Sequence, residues 1–195
     1  MSNKIITISR EYGSGGRDIG RMAAEKLGIP CYDQELIEKI AEESGYTKDY
    51  INERSEAMPY SSWIGNVLSI GNGGGYDPSE ILWAAQCKVI RDLAENGPCV
   101  IVGRCADQVL DGSADLLKIF VYAPLEERCK RAVASYGEAE ANIEKRVLDM
   151  DKRRKAYYQM YTDAEWGVAS NYDICMNSGA FGLEKCADAI AELYK

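Results

Sequence analysis

The chain has 195 residues, a formal net charge of -8 and no histidine. That length holds one domain with a sizeable core, and the acidic balance argues against a broad nucleic-acid surface or charge-driven binding to an anionic membrane. The missing histidine removes the commonest general base and zinc ligand, which disfavours serine-hydrolase and metallohydrolase chemistry.

Residues 4–28 read KIITISREYGSGGRDIGRMAAEKLG. An apolar run, Ile5, Ile6, Thr7 and Ile8, enters the glycine-rich turn Gly13, Ser14, Gly15 and Gly16. A helical pattern follows, with Ile19, Met22, Ala23 and Leu27 on one face. Strand, glycine loop and helix is a geometry that cradles phosphate, because the loop turns backbone N–H groups inward and the helix N-terminus adds positive potential. A tight strand-to-helix turn with no ligand has the same pattern. A Walker A loop, G-x-x-x-x-G-K-[ST], aligned on Gly15 puts Arg10, Gly16 and Arg17 at the first-glycine, lysine and hydroxyl positions. With the extra glycine of many monophosphate kinases, Asp18 takes the hydroxyl position. Neither alignment supplies a lysine. The dinucleotide fingerprint fails as well, since its third glycine falls on Asp18.

Residues 31–32 (CY) form a short strand candidate ending at Asp33, which is placed to cap an amphipathic helix carrying Leu36, Ile37, Ile40 and Ala41. Residues 47–79 are the least regular, with a short helix candidate at 47–54 and a flexible glycine loop at 71–75. Tyr46, Tyr50, Tyr60, Trp63 and Tyr76 crowd there, as one wall of a base-binding cleft or as an ordinary satellite core. Residues 78–96 read as a long helix whose buried stripe is Ile81, Leu82, Ala85, Val89, Ile90 and Leu93. Residues 99–102 (CVIV) fit a central parallel strand. Arg104 follows at its C-terminal end, where an open α/β sheet binds ligands and an arginine can clamp phosphate. The alternative is a surface arginine paired with Asp107.

Residues 119–122 (IFVY) are another buried strand candidate, led in by Leu116 and Leu117, and Pro124 starts the next helix, which Gly137 interrupts. Residues 138–161 read as one charged helix in which Arg146, Lys152, Arg153, Arg154 and Lys155 concentrate positive charge. Such a helix is either solvated and laced with ion pairs, Asp151 with Lys155 for example, or a mobile element closing over polyphosphate. Residues 172–176 (YDICM) are the fifth strand candidate, and a final helix carries Leu183, Cys186, Ile190 and Leu193. Seven cysteines, with no C-x-x-C pair, fall mostly in apolar patterns and are expected as buried free thiols. No apolar run nears about 18 residues and no N-terminal signal pattern is present, so a cytoplasmic, membrane-free protein is expected. Five strands alternating with helices predict an α/β fold with a parallel sheet.

The stretches ITISREYGSGGRDIGRMAAEKLG, YDQELI, VIVGRCAD, LKIFVYAP, and DKRRKAYYQMYTDAEWG through SNYDICMNSG make the sequence resemble the cytidylate kinase-like family of P-loop proteins. The resemblance samples nearly the whole chain. It implies a three-layer α/β/α fold over residues 1–195, with a five-stranded parallel sheet in 2-3-1-4-5 order. A monophosphate-binding insertion at 34–79 and a basic lid region at 137–167 go with it. By the same resemblance Gly13, Ser14 and Gly15 wrap the ATP β-phosphate. Arg104 meets the acceptor monophosphate with Asp33 and Asp107 beside it, and Asp151 and Arg154 match a lid aspartate and arginine, with Arg153 alongside. Arg10 or Arg17 supplies the charge of the missing lysine, and Asp18 ligates Mg²⁺. The implied activity is ATP- and Mg²⁺-dependent phosphoryl transfer to a nucleoside monophosphate, by default CMP or dCMP. A kinase for another small phosphate-accepting metabolite and a non-catalytic nucleotide-binding regulator are the alternatives. The expected partner is a small nucleotide rather than a nucleic-acid polymer; a homo-oligomer is left open.

Overall fold

The computed structural model describes residues 4–49 and 78–194. The expected turns and aromatic cluster between residues 50 and 77 lie outside them.

Short apolar runs become strands, and among the described residues these form one parallel sheet. Its strands are β1 (Lys4–Arg10), β2 (Cys31–Tyr32), β3 (Val100–Val102), β4 (Asp115–Tyr122) and β5 (Ile174–Asn177). Their order is β2-β3-β1-β4-β5, the order implied by the resemblance. β1 is central, pairing Thr7 with Ile101 of β3 on one side and with Lys118 of β4 on the other. It is therefore sequestered on both edges, and its run of isoleucines needs no polar alternation.

Side-chain alternation along the strands divides the core between the two faces of the sheet. Ile5 and Ile101 join Leu36 and Ile40 of α2 (Gln34–Ser44) and Leu82, Ile90 and Leu93 of α3 (Pro78–Asn96). Ile6, Ile8, Val100, Val102, Ile119 and Val121 face the other way, against Ile19 and Ala23 of α1 (Gly16–Leu27) and Ile190 of α8 (Leu183–Tyr194). The remaining helices are α4 (Ala106–Val109), α5 (Leu125–Tyr136), α6 (Ile143–Tyr161) and α7 (Ser178–Phe181). No helix of the described residues is long and apolar enough to cross a membrane.

Several local expectations change. Ile81 and Leu193 are exposed rather than part of their buried stripes. α6 begins at Ile143, not near residue 138, after Asn142 adopts a left-handed conformation. Lys155 pairs with Glu165 rather than with Asp151. Asp33 makes no side-chain cap on α2. Five cysteines are buried free thiols, while Cys31 and Cys175 are half-buried. The short helices α4 and α7 have no periodic signal in the sequence, being only one turn long.

Central placement of β1 has a measurable consequence. Ile8→Ala, which removes a fully buried side chain, is expected to lower unfolding free energy by about 2–5 kcal/mol in urea titration. Leu193→Ala, at an exposed position, is expected to stay within about 0.5 kcal/mol.

Candidate active site

β1 delivers Arg10 to the C-terminal edge of the sheet, and the chain then turns through residues 11–15 into α1. Gly13 and Gly15 both have φ of 79°, a left-handed conformation that glycine adopts without steric cost. Gly13 also has no room for a side chain: a Cβ there would lie 2.4 Å from the Arg128 carbonyl oxygen. The loop's carbonyls are drawn onto the scaffold. Arg131 Nη1 donates to the Gly13 carbonyl at 2.6 Å, Ser178 Oγ to that of Ser14 at 2.5 Å, and the Ile19 N–H to that of Gly15 at 2.9 Å. Oxygens that would repel an anion are thereby held away from the helix mouth, leaving the positive end of α1 to face the cleft.

Arg128 anchors the loop from the side. Its guanidinium is buried, hydrogen-bonds the Asp151 carboxylate, approaches Glu11 Oε2 at 3.3 Å and donates to the Tyr12 carbonyl at 3.3 Å. The second Asp151 oxygen accepts from the Tyr12 N–H at 2.7 Å. Glu11 accepts from the Ala123 N–H at 3.2 Å, and burial raises its carboxyl above the ordinary range despite Arg128. Tyr12 turns its hydroxyl to Glu138 at 2.7 Å, and its ring underlies the Arg154 guanidinium at 5.5 Å. Burial and the Glu138 hydrogen bond push the Tyr12 phenol up to about 12.

Above the loop lies a cleft of about 330 Å³. Arg10, Gly13, Gly15, Gly16, Arg17 and Arg154 are among the residues that line it, with Tyr136 on the outer wall. A recess of about 10 Å³, room for about one water, shares two residues with it and is lined by Ser9, Arg10, Arg104, Arg154, Tyr157 and Trp166 among others. Arg10 and Arg154 belong to both. The three arginines of the smaller pocket are only 8%, 7% and 9% exposed for Arg10, Arg104 and Arg154. Arg154 Nη1 donates to the Arg10 carbonyl at 2.9 Å, which fixes the two relative to each other.

The sequence-derived candidates are thus distributed unevenly. Arg10, Gly13, Gly15, Gly16, Arg17, Arg104 and Arg154 line one or both of the two pockets. Ser14 is buried beneath the loop, where its hydroxyl donates to the Glu11 carbonyl at 2.8 Å. Asp18 lies in the first turn of α1 and Arg153 on α6, both outside the linings. Asp151 is turned onto the loop backbone. Asp33 holds Arg17 Nε at 2.6 Å and lies 3.6 Å from Arg21. Asp107 is buried and accepts a 2.5 Å hydrogen bond from the Tyr158 hydroxyl; burial raises its carboxyl above the ordinary value.

The two candidate replacements for lysine differ in environment. The Arg17 side chain is 44% exposed and drawn to Asp33. Arg10 is buried and packs directly over Gly16, whose added Cβ would sit 2.6 Å from Arg10 Cβ. A side chain at position 16, where the Walker alignment requires lysine, would collide with Arg10 Cβ and crowd Val121 Cβ, so glycine fits the close approach of α1 to the strands.

Among the described residues no group of three or more His, Cys, Asp or Glu side chains could hold a metal. A cation arriving on a polyphosphate needs only one or two protein carboxylates; Asp18 is the carboxylate in the first turn of α1, and it stands outside the lining of the cleft. Arg128, Arg131 and Ser178 were not among the sequence-derived candidates. Their only local signal is a pair of arginines three apart beside a buried helix face and a serine after a strand.

The sequence model of the cytidylate kinase-like family matches residues 5–180. A cytidylate kinase of Methanothrix thermoacetophila is 26% identical over 178 residues, covering 90% of this chain and 88% of that protein. The crystal structure of an uncharacterized protein from Eubacterium ventriosum superposes with a TM-score of 0.73 at 26% identity, covering 97% of each chain. Shikimate kinase from Acinetobacter baumannii, in complex with shikimate, shares the fold with a TM-score of 0.55 at 17% identity, covering 99% of this chain and 93% of its own. A left-handed glycine loop on the central strand and a family match over nearly the whole sequence lead to one assignment: the chain belongs to the cytidylate kinase-like family.

Proposed function

We propose that this protein transfers the γ-phosphoryl group of ATP to the phosphate of a nucleoside monophosphate, with CMP or dCMP as the default acceptor. The observation that carries the reading is the pair of adjoining cationic pockets that share Arg10 and Arg154. Two phosphates that must meet in line need one positive environment spanning both, and the shared arginines supply it. The family membership and the similarity to a cytidylate kinase support the same reaction class.

In this reading the donor polyphosphate lies over residues 13–16 and the acceptor phosphate sits against Arg104. An ionised acceptor oxygen attacks the γ-phosphorus, the bond from that phosphorus to the bridging oxygen breaks, and ADP leaves with the electron pair. No general base is required, because a phosphate monoester oxygen is already ionised and nucleophilic near neutral pH. Arg10 takes the role of the missing lysine, and Arg154 faces the transferring group. Their charges act where negative charge spreads in the transition state. Arg104 holds the acceptor. Arg17, held by Asp33, and Arg153 contribute positive potential from the rim. Asp151 acts through the loop it holds, and Asp107 through Tyr158. Asp18 would be the residue that holds a Mg²⁺ ion arriving with the nucleotide, and that ion would supply neutralisation of phosphate charge. Residues 34–79 serve the acceptor side and residues 137–167 carry the arginines over the phosphates.

A panel of monophosphates with Mg²⁺ and ATP, read by ADP release, tests the reaction. The expected result is turnover of CMP or dCMP by the wild-type chain. Arg10→Ala is expected to lower kcat by about 100-fold or more, and Arg17→Ala by about tenfold or less. The reverse order would assign the lysine's role to Arg17. A chain that binds ATP yet turns over no member of the panel would instead be a nucleotide-binding regulator.

Calorimetry with ATP tests the magnesium site separately. Without a cation, the Asp18 carboxylate repels the phosphates, so affinity is expected to fall at least about tenfold in EDTA. Asp18→Asn is expected to relieve the loss in EDTA. Unchanged ATP affinity in EDTA would contradict the role given to Asp18.

A further inference from the structure

The turn that carries Arg104 is conformationally demanding. Gly103, Arg104 and Cys105 have φ of 77°, 60° and 54° in succession. Glycine tolerates this, but Arg104 and Cys105 have a Cβ and are disfavoured there. Such a run persists only when its surroundings over-determine it. The start of α4 holds part of it, through the Ala106 N–H to the Gly103 carbonyl at 3.2 Å and the Val109 N–H to the Cys105 carbonyl at 2.9 Å.

The Arg104 carbonyl, between those two, is held from a different element. Gln86 of α3 donates to it from Nε2 at 2.9 Å. Gln86 Oε1 in turn accepts from the Tyr157 hydroxyl of α6 at 3.0 Å. All three residues are buried, Gln86 almost completely. The orientation of the amide is dictated by its partners, because flipping it would set oxygen against the carbonyl oxygen. Burial holds the Tyr157 phenol well above its ordinary value, so it stays protonated and donates.

The same two helices are locked by rings. Trp83, one turn before Gln86, stacks on Tyr161 with centroids 4.2 Å apart and planes at 9°, and it meets Tyr157 edge-on at 6.5 Å. Tyr157 lies one turn after Arg154 on α6. The chain Arg104 carbonyl, Gln86, Tyr157 therefore runs from the strained turn to the helix that carries the other arginine of the smaller pocket.

We propose that Gln86 and Tyr157 are positioning residues that set the Arg104 turn, and so the spacing of Arg104 from Arg154, for a phosphate-bearing acceptor. The inference rests on reading the smaller pocket as the acceptor site. It adds that acceptor affinity is governed by two side chains acting through a main-chain carbonyl. Removing either bond leaves a buried polar group unsatisfied and lets the left-handed turn relax. Gln86, Arg104 and Tyr157 do not line the donor cleft, and Arg154 is held to the Arg10 carbonyl by its own hydrogen bond, so donor affinity is expected to change far less.

The test uses inorganic phosphate as the probe, titrated calorimetrically with Mg·ADP saturating so that the glycine-loop cleft is filled. The relevant signal is the part lost in Arg104→Ala. Tyr157→Phe, which keeps the ring on Trp83, and Gln86→Met are each expected to weaken that binding about 5–10-fold. The double variant is expected to be little worse than either single, because both cut one series of bonds. Mg·ADP affinity is expected to stay within about twofold. Wild-type phosphate affinity in Tyr157→Phe would overturn the proposal. So would an equal loss of Mg·ADP affinity, or no Arg104-dependent phosphate binding in the wild type. A chain that meets these expectations but phosphorylates no nucleoside monophosphate keeps the positioning role and loses the kinase reading.

Discussion

The Asp151 carboxylate is the constraint on which the site depends. One oxygen takes the Tyr12 N–H and the other takes the buried Arg128 guanidinium. A single side chain thereby ties α6 to both the phosphate loop and α5. Arg154 lies one turn further along the same face of α6, so its position over the loop follows from the Asp151 contacts. Arg128 is buried and Asp151 half-buried, so removing Asp151 leaves the Arg128 charge with poorer compensation. The basic helix is thus anchored at its centre and presents Arg154 from a fixed base.

Around that anchor, the loop solves a packing problem in an uncommon way. A lysine at position 16 would need space that Arg10 fills. The loop has glycine there, and the preceding strand ends in a buried arginine. A guanidinium is planar and carries its charge over a wider fork than an ammonium does. It can therefore face two phosphates at once, which suits a residue lining both pockets. Arg17 is less suited to this, being half-turned to solvent and held by Asp33.

Much of the fold was legible in the sequence because its signals are local. Apolar runs at Ile5, Val100 and Ile119 became parallel strands at nearly the expected residues. Gly137 stopped a helix by a left-handed cap, as its position suggested. The strand order came from the resemblance, since no periodicity encodes it. What escaped reading was set by partners distant in sequence. Asp33 could cap its own helix, but Arg17 and Arg21 compete for it. Asp151 had a suitable Lys155 one turn away, yet a buried Arg128 on another helix offers a stronger site than an exposed lysine. Gln86 is polar in an apolar stripe, and only its two buried partners reveal why. The left-handed run at Arg104 and Cys105 carries no compositional signal at all, since neither residue favours it.

In the proposed reaction Arg10 and Arg154 form one electrostatic bridge between a donor and an acceptor phosphate. The most direct measurement is a crystal structure of the chain with a non-hydrolysable ATP analogue, Mg²⁺ and CMP. The expected arrangement has the analogue's γ-phosphate over residues 13–16 and the CMP phosphate against Arg104, with both Arg10 and Arg154 within hydrogen-bonding distance of the gap between them. A CMP phosphate bound away from Arg104, or a γ-phosphate met by Arg17 with Arg10 turned aside, would contradict it.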